Sequence, residues 1–114
     1  MSEAKNCRLA AIQMISGPDV ADNLRTAAHW IAEAAAQGAQ LVVLPEYLAS
    51  VGATDAARLA ARQPFGQGPI QDWLAATAQR HGIWLVAGSL PLSADVADKL
   101  RNSCLLFDPA GACV

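Results

Sequence analysis

Apolar residues along this chain form short runs that alternate with helical patterns and turn residues. Runs of strand type lie at 8–14, 40–44, 83–87 and 102–107. Apolar residues at consecutive positions are typical of strands that are covered on both faces. Between the first two runs, apolar residues recur at helical spacing after Asp19, a plausible helix N-cap. The pattern therefore predicts a strand, a helix and a second strand in that order.

Turn residues divide the remainder of the chain. The alanine-rich residues 53–62 predict a helix, and the Gly- and Pro-containing loop at 63–68 interrupts it. Pro69 suits the first turn of a further helix, which Gly82 closes. Residues 90–100 have a mixed pattern, and we expect them to be mobile.

The order of elements predicts an α/β fold with right-handed crossovers and mostly parallel strands. Residues 108–111 (DPAG) have turn chemistry, so we expect a hairpin-like pair around Pro109. A sheet of continuous apolar strands needs cover on both faces, and only two segments are convincing helices. We therefore expect the chain to stop before the fold is closed.

Composition and charge exclude several classes of function. The formal net charge of -2 does not provide the basic surface that nucleic acids or anionic membranes require. The longest apolar runs are far shorter than the roughly 20 residues that cross a bilayer. The amino terminus lacks the charged-then-apolar order of a secretory signal. We expect a cytoplasmic protein that binds neither nucleic acid nor membrane.

The cysteines and histidines do not indicate a metal site or a cofactor. The three cysteines, Cys7, Cys104 and Cys113, form no Cys-x-x-Cys pair, and we expect free, buried thiols. His29 has no second ligand at i+4, and His81 precedes a helix-ending glycine, where it caps the helix. The glycines at 66–68 lack the remaining features of a dinucleotide fingerprint. We expect neither a metal nor a cofactor.

Glu46 is the candidate catalytic residue. It follows Leu44 and Pro45 at the carboxyl end of a strand, where open α/β folds place functional groups. A carboxylate that apolar neighbours desolvate at such a position could serve as a general base. The alternative is a solvated loop glutamate or a helix-capping one. Tyr47 could face a substrate, and an ordinary loop aromatic is the alternative.

Several segments resemble one enzyme family. Residues 40–46 (QLVVLPE) resemble the signature around the first catalytic residue of the nitrilase superfamily, the carbon–nitrogen hydrolases. Similar features of the family lie at 9–13 (LAAIQ), before this segment, and at 83–89 (IWLVAGS) and 102–111 (NSCLLFDPAG), after it. They occur in the same order as in the family. Residues 102–108 are closest to the ω-amidase and deaminated glutathione amidase branch.

The resemblance implies both a fold and a reaction. The fold is the amino-terminal part of a four-layer αββα sandwich. The reaction is hydrolysis of a non-peptide C–N bond of a small amide by a Glu-Lys-Cys triad, through a thioester and without a cofactor. Glu46 matches the glutamate of that triad, and Tyr47 beside it is the substrate-binding candidate. The full-length form is expected to be a homo-oligomer.

The resemblance also implies that residues 1–114 are a partial domain, truncated before the lysine and the cysteine of the triad. Lys99 precedes the turn that the family's lysine follows. Cys104 lies within a predicted strand and Cys113 just after a turn, so neither has the context of the nucleophile. We expect the chain alone to be inactive. The alternative is a non-catalytic α/β interaction module, or a remnant that associates with a full-length relative through its uncovered sheet face.

Overall fold

The computed structural model describes residues 6–46 and 54–114, and within them it confirms the predicted α/β class. The elements, in chain order, are β1 (Leu9–Ala11), α1 (Val20–Ala36), β2 (Leu41–Val43), α2 (Asp55–Ala61), α3 (Pro69–His81), β3 (Trp84–Ser93) and β4 (Leu100–Phe107).

The strands form a four-stranded sheet in the order β1-β2-β3-β4. Strands β1, β2 and β3 are parallel, and Val43 pairs with Ala11 on one side and with Val86 on the other. Strand β4 is antiparallel to β3. Because the first three strands are parallel, their carboxyl ends point toward the same edge of the sheet, where α/β proteins place their ligands.

Local signals explain where α1 begins and ends. The Asp19 carboxylate accepts a hydrogen bond from the backbone N–H of Asp22 at 2.9 Å, as an N-cap does. Gly38 follows the helix with a φ of 89°, which favours glycine. The guanidinium of Arg8 donates to the backbone carbonyl of Gln37, one of the carbonyls left free at the helix end. The predicted bounds of this helix are confirmed.

Helices α1 and α3 bury their apolar faces together against one face of the sheet. The two helices contact each other, and α3 contacts β3 and β4. The most deeply buried large side chains of this core are Ile31, Val42, Leu44, Leu74, Ile83, Leu85 and Leu90.

The described part of the chain has three helices. Two are the convincing helices of the sequence pattern, and the third is α2, which the alanine-rich residues 53–62 predicted less clearly. In α2 the Thr54 hydroxyl accepts from the N–H of Ala57 at 3.1 Å and caps the helix. This short helix buries none of its residues. Because no face of it is buried, its alanine-rich sequence does not need a separate apolar face. No helix within residues 6–46 and 54–114 combines the length and apolarity that a membrane span requires.

The opposite face of the sheet is much less covered, and we call it the open face. The register places Leu9, Leu41 and Trp84 in one row across three strands. Leu9 is 65% exposed and Trp84 is 39% exposed. A neighbouring row contains the half-buried Val43 and Val86. The open face is therefore apolar along two adjacent rows.

The structure departs from the mixed segment predicted at residues 90–100 at both of its ends, whereas the mobility of residues 94–99 stays a prediction. Strand β3 continues to Ser93, and β4 begins at Leu100 and pairs with it. On its other side, Pro91 accepts from the backbone N–H of Gln63 at 3.2 Å, and Ser93 donates to the carbonyl of Gln63 at 2.9 Å. Backbone partners on both sides hold residues 90–93 extended despite the mixed composition of the segment.

The prediction that the cysteines are buried is also wrong. All three are free, and all three are exposed. Cys104 alternates along β4 with Leu105 and Phe107, which face the core, so its thiol lies on the open face. Cys7 precedes β1 and Cys113 follows the turn after β4, and both side chains are exposed.

Candidate functional site

Glu46 lies where β2 ends at the carboxyl edge of the sheet. The ladder continues to Leu44, whose N–H donates to the carbonyl of Val86 at 2.9 Å. Pro45 has no N–H and ends the pairing, and the chain turns at Glu46. The predicted position of Glu46 is therefore confirmed, whereas its catalytic role stays a prediction.

The side chain of Glu46 is exposed, so the described residues do not desolvate it as the sequence analysis expected. The physical reason is that Glu46 lies in a turn beyond Leu44, the residue after β2 whose N–H still pairs with β3. Tyr47 lies outside the described residues, and its substrate-binding role stays a prediction.

The end of β1 and the middle of β3 lie beside the turn at Glu46. The N–H of Ile12, just after β1, donates to the carbonyl of Val43 at 2.9 Å. On the other side, the register that pairs Val43 with Val86 brings Pro45 level with Gly88. The ends of β1 and β2 thus lie side by side next to the Gly88 segment of β3, and Glu46 lies at this edge.

The loop at residues 63–68 lies against the later half of β3 and is held by a buried amide pair that the sequence analysis missed. Gln71 is only 5% exposed. Its side-chain N–H groups donate to Gln63 Oε1 at 3.2 Å, to the carbonyl of Pro64 at 2.8 Å and to that of Gln67 at 2.6 Å. Its Oε1 accepts from the N–H of Gly66 at 2.8 Å. The loop is therefore fixed from within.

Replacing Gln71 with leucine is expected to destabilise the protein by about 1–3 kcal/mol, because it leaves buried backbone and amide groups without partners. The measurement is the free energy of unfolding in urea. Gln79→Leu on the same helix is the matched control, since Gln79 is exposed, and its effect should stay within about 0.5 kcal/mol. Equal effects of the two substitutions would contradict a structural role for the amide pair.

The predicted turn at residues 108–111 is present after β4, and hydrogen bonds to the first residue of the turn stabilise it. The Asp108 carboxylate accepts from the N–H of Ala110 at 3.0 Å and from that of Ala112 at 2.9 Å. Gly111 has a φ of 87°, and a Cβ placed there would lie 2.8 Å from the carbonyl oxygen of Ala75 on α3. The turn thus packs against α3 and directs the following residues back along β4.

The other candidates occupy separate positions. Cys104 is on β4, separated from the end of β2 by strand β3. Lys99 lies in the connection between β3 and β4. His29 is exposed on α1, with its ring 4.8 Å from that of Trp30. Within the part of the chain that the structure describes, no group of three His, Cys, Asp or Glu residues could hold a metal ion.

Comparison with known proteins agrees with this architecture. Residues 8–114 match the sequence profile of the carbon–nitrogen hydrolases. The chain therefore belongs to the carbon–nitrogen hydrolase family, and the predicted resemblance is confirmed.

Individual relatives are amidases. The chain is 39% identical to omega-amidase NIT2 of Danio rerio and 34% identical to the deaminated glutathione amidase of Yersinia enterocolitica. These matches cover 91% and 94% of this chain, and 36% and 37% of the relatives. A mutant of the amidase from Nesterenkonia sp. AN1 has the same fold with a TM-score of 0.79, at 26% identity over 96% of this chain and 42% of that chain. The chain thus spans little more than a third of the length of the curated relatives that it matches.

Proposed function

We propose that residues 1–114 are the amino-terminal part of the catalytic domain of an amidase-type carbon–nitrogen hydrolase, and that Glu46 is its general base. One observation carries this proposal. In a chain that matches the family over residues 8–114, Glu46 stands at the carboxyl end of β2, at the edge of the sheet where β1 also ends and beside the Gly88 segment of β3. That edge is where an α/β enzyme presents its reacting groups.

In the proposed reaction, Glu46 takes up the proton of a cysteine thiol and returns it to the leaving nitrogen. Its carboxylate removes the proton from a cysteine thiol that a later part of the domain supplies, and the thiolate attacks the carbonyl carbon of the amide. A lysine stabilises the resulting oxyanion. As the C–N bond breaks, the same proton passes from Glu46 to the nitrogen, which leaves as ammonia or an amine, and water then hydrolyses the thioester to the carboxylic acid and the free thiol. The amidase from Nesterenkonia sp. AN1, seen with acrylamide added at its active-site cysteine, supports cysteine chemistry in this fold.

The proposed substrate is a small amide of the type that the omega-amidase and deaminated glutathione amidase relatives are named for. Tyr47 follows Glu46 directly in the sequence, which supports a role for its ring at the border of the substrate site. The full-length enzyme is expected to be a cytoplasmic homo-oligomer.

The test uses the protein that carries this segment, purified from its source cells. We expect it to release ammonia from an ω-amide or from deaminated glutathione, and to lose that activity when iodoacetamide alkylates its thiols. The 114-residue chain alone should release no ammonia, because it has the base without the nucleophile. An inactive full-length protein would contradict the proposed activity, and an active 114-residue chain would contradict the proposed triad.

The open face favours a second candidate, a non-catalytic module that associates with a full-length relative. Its rows of apolar residues include Leu9 and Trp84, both exposed, and such patches mark contact sites. Sedimentation of the 114-residue chain with and without a full-length relative separates the two proposals. A stoichiometric complex favours the module, whereas independent sedimentation favours the enzyme segment.

A further inference from the structure

Gly88 lies beside the backbone that leads into Glu46. The parallel register of β2 and β3 pairs Val43 with Val86, so that Pro45 stands level with Gly88 two residues later. A Cβ built on Gly88 would come closer than 3.0 Å to the carbonyl oxygens of both Leu44 and Pro45, a separation that real Cβ atoms essentially never show. The obstacle is backbone and not the flexible end of a side chain. Any side chain at position 88 therefore requires the end of β2 to move.

An irregularity in β3 occurs at the same point. Ala87 pairs with Leu105, but Leu90 pairs with Ser103, so the register between β3 and β4 shifts by one residue. Gly88 and Ser89 together therefore face a single residue of β4. A bulge of this kind bends its strand and re-aims nearby groups, and bulges are over-represented next to active sites.

We propose that Gly88 is a positioning residue for Glu46: its missing side chain lets the Leu44 and Pro45 carbonyls lie against β3 and so determines where Glu46 leaves the sheet. This inference rests on the proposed function, because it assumes that Glu46 is the base. The carboxylate must reach the thiol proton at hydrogen-bond distance. A shift of the Pro45 backbone is transmitted directly to the next residue and moves that carboxylate.

The test is Gly88→Ala in the full-length enzyme, with kcat expressed per folded molecule, the folded fraction being measured by circular dichroism after gel filtration. We expect this kcat to fall by about 100-fold with little change in KM, since a displacement of about 1 Å in a reacting group can cost that much. Gly17→Ala is the matched control, because a Cβ there meets no atom within 4 Å. A kcat at the wild-type value in Gly88→Ala would overturn the inference.

A double-mutant cycle with Glu46→Gln distinguishes positioning from a general structural role. If Gly88 acts through Glu46, adding Gly88→Ala to Glu46→Gln should cause almost no further loss of kcat. If the double variant instead lost kcat by the product of the two single-variant factors, the inference would be overturned and the proposed function would remain intact. A fully active Glu46→Gln enzyme would overturn the proposed function itself and the inference with it.

A second measurement does not depend on the folding of the variant. In a crystal structure of the full-length enzyme, we expect the Pro45 carbonyl to remain in van der Waals contact with Gly88. A structure in which open space separates Pro45 from Gly88 would overturn the inference.

Discussion

Glu46→Gln in the full-length enzyme is expected to lower kcat for amide hydrolysis by about 100- to 10,000-fold, the range that a general base contributes. Glutamine keeps the size of the side chain but cannot accept the thiol proton. In the 114-residue chain, where the Glu46 side chain is exposed, the substitution should change the free energy of unfolding by less than about 0.5 kcal/mol. A large loss of rate at unchanged stability is therefore the expected signature.

Glu33→Gln provides the matched control for this experiment. Glu33 is an exposed glutamate on α1, a different element from the turn at Glu46, and the same isosteric change there removes one surface charge. We expect its kcat to equal that of the wild type. If both substitutions reduced kcat equally, the effect would be one of net charge, and the assignment of Glu46 as the base would be wrong.

The largest expected effect on stability comes from Ile31. This side chain is fully buried between α1 and the rest of the core. Truncation to alanine removes apolar contacts and leaves a cavity, and we expect it to lower the free energy of unfolding by about 2–5 kcal/mol. Urea denaturation followed by circular dichroism measures the loss.

Ile15→Ala is the corresponding control, because it makes the same chemical change at a side chain that is 101% exposed. Its expected effect lies within about 0.5 kcal/mol. Similar losses for the two isoleucines would mean that Ile31 is not in the core, and the packing of α1 against the sheet would have to be revised.

Elements with strong local signals were predictable from the sequence. Helix α1 has the cap Asp19 before it, Gly38 after it and apolar residues at helical spacing between them, and the structure has the same bounds. The order of strands and helices followed from the same kind of local pattern, because each apolar run was separated from the next by Gly or Pro. The match to the family confirmed the interpretation of these segments.

Features that depend on contacts between distant residues were not predictable. The second half of β3 is extended because Gln63 pairs with its backbone on one side, a contact across almost 30 positions that no local pattern reveals. The exposure of Cys104 depends on which face of β4 the helices cover. Although a Gln-rich loop is visible in the sequence, the partners of Gln71 are defined only by the folded loop.

The candidate site was also predictable only in part. Glu46 was identified from its motif and its place after a strand, and the structure puts it at the carboxyl edge. Gly88 lies in the segment 83–89 that resembles the family. Its proposed role, however, arises from the close approach of Pro45, which follows β2 and is distant in the sequence. Spatial proximity of this kind requires the sheet register, which the sequence pattern alone does not provide.

The central claim is that this chain is one part of a longer carbon–nitrogen hydrolase, and the intact mass of the native protein tests it most directly. The protein would be isolated from its source cells, identified by peptides from residues 6–114 and measured by mass spectrometry without digestion. The account predicts a mass well above the 11.9 kDa of this chain, with a lysine and a cysteine of the triad in the additional sequence. A native mass of 11.9 kDa would contradict it, and would favour a module that acts through a partner.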